Sequence, residues 1–141
     1  MSQENVEIVR RGYEVMTQYL RDYPAALPPL GEFLDPEIEW RGPREFPDLA
    51  EARYGHDGVR AYIDKLFEVL DDYRMAPEEF IDAGGDQVLV FSREGGSGKG
   101  SGAAVQTHPT GHLWTIRDGM AVEMESYWER SEALEAAGLS E

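Results

Sequence analysis

Val6, Val9, Tyr13, Met16 and Leu20 recur at spacings of three and four, one apolar stripe along a helix of about five turns, with Ser2 placed to cap its start. Pro24, Pro28 and Pro29 stop that helix, and Leu27, Leu30, Phe33 and Leu34 suggest a short second one. Asp35-Pro36 signals a turn. Glu37 to Arg41 then alternates polar and apolar, which predicts a strand with Ile38 and Trp40 facing inward. Residues 42–55 carry Gly42, Pro43, Pro47 and Gly55 and read as a long surface loop. Asp57 is placed to cap a third helix, whose buried stripe is Val59, Tyr62, Ile63, Leu66 and Leu70.

Beyond Asp71 the pattern changes to strands. Tyr73–Ala83 is the first, and Pro77 suits it to a sheet edge. Gly84-Gly85-Asp86 turns the chain into a second strand, Gln87–Glu94. Its run Val88-Leu89-Val90-Phe91 implies cover on both faces. Gly95–Gly102 reads as a flexible hairpin loop, and Ala103–Arg117 as a long third strand bulged near Pro109. Arg117-Asp118-Gly119 carries an Asp-Gly hairpin signature leading to a fourth strand, Met120–Trp128. Ser131 is placed to cap a terminal helix that runs to Ala137 and ends at Gly138. The order is three helices around one strand, then a meander. It predicts an α+β domain spanning 1–141, in which three N-terminal helices cover the concave face of a cone-shaped, curved antiparallel sheet and leave a pocket between.

Composition narrows the function classes. The chain has 141 residues, no cysteine, and 28 acids against 13 bases, a net charge of −15. A nucleic-acid partner is not expected, because such binding rests on clustered Lys and Arg. An anionic membrane surface is disfavoured for the same reason. Disulfides and cysteine-ligated metals are impossible. The polar, amphipathic start MSQENVEIVRRGY lacks the unbroken apolar run of a signal peptide or span, so a cytoplasmic location is expected.

The segments VEIVRRGYEVM, FLDPEIEW, YGHDGVRAYIDKL, EEFIDAGGDQVLV, HLWTIRDGM and ERSEALEAAGL together resemble the SnoaL-like branch of the nuclear-transport-factor-2-like superfamily. The likeness runs nearly the whole chain in order. It implies the fold above, but not one reaction, since proteins of this fold include cyclases, isomerases, an epoxide hydrolase, dehydratases and ligand carriers. Ketosteroid isomerases need a carboxylate base, a tyrosine and a protonated acid. Their base position aligns with Trp40, their tyrosine near Gly12 beside Tyr13, and their acid with His112, so at least two roles are vacant. Polyketide cyclases are more similar. His112 takes their histidine position, while their acid–base Asp falls on Ser126, beside an outward Glu125. The acid pair of the epoxide hydrolase finds no match among Val122, Met124, Ser126 and Trp128.

The candidate catalytic group is therefore His112, which alternation places on one face with Trp114 and Ile116. An imidazole there can exchange a proton near neutrality, or serve as a hydrogen-bonded core residue. No inward carboxylate is expected beside it. The expected pocket wall is Tyr13, Met16, Trp40, Tyr62, Leu66, Trp114, Met124, Ser126 and Trp128, and such walls are mostly apolar and aromatic. The run Gly95-Gly96-Ser97-Gly98-Lys99-Gly100-Ser101 is not a phosphate loop. Arg93 stands where the first glycine belongs, and Gly100 where a Ser or Thr should ligate magnesium. No metal or cofactor is expected, because His56, His108 and His112 lack the i, i+2 spacing that would put two on one strand face. Two functions stay open: cofactor-free acid–base chemistry, as in a cyclase, isomerase or dehydratase, on an apolar organic substrate, or non-catalytic binding of a small hydrophobic molecule. Leu89, Phe91, Leu113 and Tyr127 on the convex face, beside Glu123 and Glu125, suggest a homodimer.

Overall fold

The computed structural model describes residues 2–23, 30–106 and 109–139. The N-terminal stripe folds as helix α1 (Ser2–Asp22), and all five of its apolar residues are buried. Pro24, Leu27, Pro28, Pro29 and the side chains of Ser2 and Leu30 lie outside what is described; Leu30–Glu32 forms a single 3-10 turn. Strand β1 (Leu34–Arg41) starts three residues earlier than the alternation suggests, and Ile38 and Trp40 are buried as expected.

Residues 42–55 are more ordered than the expected loop. Gly42 donates its backbone N–H to Leu49 O at 2.9 Å, folding the short helix α2 (Pro47–Ala50) back onto the end of β1. A Cβ at Gly42 would stand 2.5 Å from that oxygen, so the absent side chain permits the approach. Strand β2 (Arg53–Tyr54) then pairs with β1. Helix α3 (Gly55–Val69) begins two residues before Asp57, which sits in its first turn and favours the helix dipole instead of capping. Val59, Tyr62 and Ile63 are buried, and Leu70 has already entered the next strand.

Strand β3 (Leu70–Gly84) and strand β4 (Gln87–Gly98) form a long hairpin. The first half of the glycine-rich run is strand, not loop, because Gly95, Gly96 and Ser97 pair with β5 (Ala104–Gln106), and only the part beyond Gly98 turns the chain. A Cβ on Gly96 would meet Asp71 O at 2.8 Å, so glycine allows β3 to lie this close. The expected single third strand is divided into β5 and β6 (Thr110–Arg117), and His108 lies outside the described residues. Between the pairs Gly95↔Gln106 and Ser92↔Thr110 the register along β4 slips by one residue, the offset of a bulge near Pro109. Strand β7 (Met120–Tyr127) returns through a two-residue turn, with Asp118 at φ 53° and Gly119 at φ 79°.

The strand order is β2-β1-β7-β6-β4-β3, with β5 beside β4. Every pairing is antiparallel except β1 with β7, which is parallel because the chain crosses over through α3 and the long hairpin before β7 returns. The architecture is the expected α+β one. α1 packs chiefly on β3, and α3 on β1 and β3. Between them and the sheet lies the larger apolar core, with Val88, Val90, Trp114 and Ile116 facing inward.

A fourth helix, α4 (Arg130–Ala136), lies against the opposite face. It starts after Glu129, with no side-chain cap from Ser131. It ends as a Schellman motif: Leu139 N–H donates to Leu134 O, Gly138 N–H donates to Glu135 O, and Gly138 has φ 73°. Leu89, Phe91 and Leu113, expected to seek a second copy of the chain, are instead covered by Ala133, Leu134 and Ala137. Among the described residues, no helix is long and apolar enough to cross a membrane.

Candidate functional site

Between the helices and the inner sheet face lies a cavity of ≈ 510 Å³, counted out to its open side. α1 supplies Tyr13, Met16 and Tyr19, because positions three apart share a helix face. α3 supplies Tyr62 and Leu66, spaced by four. Trp40, Met124, Trp114 and Val88 occupy one row across β1, β7, β6 and β4, and Trp40 meets Trp114 at 5.7 Å between ring centres. The next row is Ser126, His112 and Val90.

His112 is buried but fully hydrogen-bonded. Its Nδ1 is 2.6 Å from Tyr13 Oη, and its Nε2 is 3.0 Å from Glu94 Oε1. Trp114 Nε1–H donates to Tyr13 Oη at 2.9 Å. Burial holds the Tyr13 phenol well above its ordinary pKa; the Trp114 N–H pulls it back, and the charge of Glu94 raises it further. Tyr13 therefore keeps its proton. Its oxygen already accepts from Trp114, so the phenol donates to His112 Nδ1. The imidazole is then the Nε2–H tautomer, and that N–H points at Glu94. One chain of donors runs Trp114, Tyr13, His112, Glu94, and ends on a carboxylate.

Glu94 is the residue the sequence reading missed. It stood at the last position of an expected strand, next to glycines. Yet Val88, Val90, Ser92 and Glu94 alternate along β4, and the first two face the core. That alternation was the available signal. The carboxylate sits on the neighbour of β6 opposite to the one expected, since position 126 on β7 is a serine. Tyr73 on β3 is a second cavity residue outside the expected set. Burial raises its pKa well above the ordinary value, and the charge of Glu94 and a hydrogen bond to it act in the same direction. Tyr62 is raised likewise, by burial first and then by Glu94.

The structure brings Tyr13, Met16, Trp40, Tyr62, Leu66, His112, Trp114, Met124 and Ser126 to one cavity. Trp128 is not among its walls. β7 ends at Tyr127, alternation lapses there, and the Trp128 ring packs edge-on against Phe46 at 5.1 Å. Met75, Leu20, Val59 and Ile63 complete the apolar lining. No group of three or more His, Cys, Asp or Glu among the described residues is placed to hold a metal ion.

This arrangement, an apolar chamber with a part-buried, hydrogen-bonded His–Glu pair, accompanies a clear family assignment. The chain belongs to the SnoaL-like domain family, whose model matches residues 9–124. No curated protein matches it. Among solved structures it is similar to an NTF2-like protein of unknown function from Burkholderia pseudomallei K96243, at 27% identity and TM-score 0.72 over 94% of this chain and 95% of that one. It is also similar to TerC, co-crystallised with polyporic acid, at 26% identity and TM-score 0.72 over 96% and 98% of the two chains. An NTF2-like protein from Burkholderia xenovorans LB400 has 26% identity and TM-score 0.67 over 96% and 95%.

Proposed function

We propose that the chain acts as one SnoaL-like domain, in the cytoplasm, performing cofactor-free acid–base chemistry on a small apolar organic molecule that bears a carbonyl group. The observation that carries this reading is the donor chain from Trp114 through Tyr13 and His112 to Glu94, inside walls otherwise almost wholly apolar. A partly buried carboxylate held by a histidine at the wall of an apolar cavity is a candidate acid–base group. In this reading Glu94 removes a proton from a carbon next to the carbonyl and becomes the carboxylic acid. The C–H electron pair passes to the carbonyl oxygen as an enolate, and the acid returns the proton to carbon. His112 acts with Glu94 as the paired acid–base group, donating to a carboxylate oxygen through Nε2–H, while Tyr73 hydrogen-bonds to the same carboxylate. The crystallisation of TerC with polyporic acid supports a small organic ligand for this chain too.

The test is exchange of the α-protons of 2-tetralone in D2O, followed by proton NMR. The wild-type chain should accelerate exchange over buffer, and Glu94→Gln and His112→Ala should each lower that acceleration by about 10²–10⁴-fold. Unchanged exchange in both variants overturns the assignment. Binding of the ketone with no accelerated exchange by the wild type would leave the alternative, a non-catalytic carrier of a hydrophobic molecule, which the apolar lining favours.

A homodimer through the outer sheet face is a separate proposal. What α4 leaves of that face is a polar strip of Glu39, Arg41, Gln87, Thr115, Glu123 and Glu125. Arg41 beside three acids gives the strip both charge signs, so two copies can meet through ion pairs. Light scattering at micromolar concentration should give about twice the 15.9 kDa chain mass; a monomer would sink the idea.

A further inference from the structure

Two cavity residues carry polar atoms that the acid–base chain does not use. The Trp40 indole Nε1–H and the Tyr19 hydroxyl are buried, and among the described residues neither has a hydrogen-bond partner. Both residues line the same cavity as His112 and Glu94, and their exposures are 7% and 1%. Other polar groups there are engaged: Trp114 Nε1 with Tyr13, His112 with Tyr13 and Glu94, and Ser126 Oγ with Met124 Sδ at 3.6 Å. Tyr19 is six residues beyond Tyr13 on α1, roughly 9 Å along the helix axis, so its hydroxyl stands apart from the proton-transfer end. Trp40 lies on β1, two strands from His112.

An enclosed donor with no acceptor loses its water without compensation, and this normally destabilises a fold. At position 19 a phenylalanine would fill almost the same space without that loss. Keeping a hydroxyl and an indole N–H here makes physical sense if something entering the cavity accepts from them. In the ligand-free packing both atoms are closed over by neighbouring side chains. Met16, Met75 and Met124 are unbranched and adaptable, and all three line the cavity, so its wall can yield to an entering molecule.

We propose that Trp40 and Tyr19 form a second polar anchor of the cavity, which selects apolar ligands carrying a hydrogen-bond acceptor oxygen of the ketone, quinone or ether class over hydrocarbons of the same shape. The proposal rests on the cavity reading above, but not on the chemistry assigned to Glu94. Both groups donate and neither is ionised near neutral pH, since burial raises the Tyr19 phenol above its ordinary pKa. The anchor therefore recognises a neutral oxygen and does not require an anion. Its selectivity comes from the penalty of leaving the donors unpaired when a hydrocarbon binds.

The experiment uses acetophenone and ethylbenzene, a matched pair that differs chiefly in the carbonyl oxygen. Dissociation constants are measured by NMR titration of the wild type, Tyr19→Phe and Trp40→Phe. In the wild type, acetophenone should shift the Trp40 indole N–H resonance downfield. The chain has three tryptophans, and Trp40→Phe and Trp128→Phe each identify one peak by its loss. The ratio of the ethylbenzene constant to the acetophenone constant should fall about tenfold in each variant. Tyr19→Phe should also unfold at an equal or higher urea concentration than the wild type, whereas loss of a satisfied hydroxyl would lower it. Ratios unchanged in both variants, with both probes bound, overturn the anchor and leave the cavity reading intact. If neither probe binds the wild type, the cavity reading fails and the anchor fails with it. Should Trp40→Phe not fold, the Tyr19→Phe ratio and the wild-type indole shift decide.

Discussion

Tyr13 carries more of the site than any other single residue. It accepts from Trp114, donates to His112, stacks alongside the imidazole at 6.0 Å, and meets Phe80 edge-on at 5.6 Å. Tyr13→Phe keeps the ring contacts and removes only the oxygen between two buried nitrogens. It leaves Trp114 Nε1–H and His112 Nδ1 unpaired at once, and we expect a loss of about 1–3 kcal/mol in stability. Urea unfolding followed by tryptophan fluorescence would measure it, and a loss below about 0.5 kcal/mol would mean that the oxygen is not bonded as described. The contrast with Tyr19→Phe is deliberate. The same chemical deletion on the same helix is expected to act in opposite directions, because one hydroxyl is satisfied within the fold and the other is not. That distinction is not legible in the apolar stripe of α1, which includes Tyr13 and omits Tyr19.

At the scale of elements, α4 and the inner helices share a sheet but not a core. Gly111 lies on β6 between them, next to His112, and faces outward. A Cβ added there would come 2.4 Å from Ala133 Cβ, a distance that atoms do not tolerate. Gly111→Ala should therefore push α4 off the sheet and uncover Leu89, Phe91 and Leu113. Overpacking of this kind costs about 1–3 kcal/mol. Hydrogen exchange should show lost protection across Arg130–Ala136, while the wild-type acetophenone affinity is retained, because the cavity lies on the other face. Loss of ligand binding together with α4 protection would mean that the two layers are coupled. α4 was legible as a helix, and Gly138 was legible as its end. Its docking face was not, since a seven-residue helix with two or three apolar positions fits several surfaces equally well. Only the apolar outward row of β4 and β6, exposed by the sheet pairing, selects one.

The whole molecule should respond to alkaline pH through its cavity. Tyr13, Tyr62 and Tyr73 are all raised by burial, with Glu94 adding to each. In the unfolded chain each phenol titrates near pH 10. Their folded pKa values lie above that, so the native state holds protons that the unfolded state has released. Stability is thus fully present below about pH 10 and falls as pH rises further, by about 1.4 kcal/mol per pH unit for each fully buried phenol. Urea midpoints should be insensitive to these groups at neutral pH and drop steeply above pH 10, and Tyr73→Phe should make the drop shallower. A midpoint that stays level to pH 11.5 would contradict the burial of these three rings. Tyr23 is raised as well, to about 12, first by its hydrogen bond to Asp64, but it lies outside the cavity near the surface and should contribute little.

The sequence by itself determined the longer elements and the faces most of them turn inward. Side-chain direction is a local property, repeating every 3.6 residues in a helix and every two in a strand. Hence Tyr13, Met16, Trp40, Tyr62, Trp114 and Met124 could be assigned to one interior before any fold was known. Tertiary structure decided who meets whom. Glu94 reaches His112 across 18 residues, and Tyr13 reaches it across 99. These contacts depend on β4 pairing with β6 in one register, and on α1 lying over β3. The parallel pairing of β1 with β7, the covering of the outer face by α4 and the exclusion of Trp128 from the cavity have the same origin. Strand partners and registers are chosen by the burial and hydrogen bonding of the whole sheet, and a local period of two is compatible with many such choices.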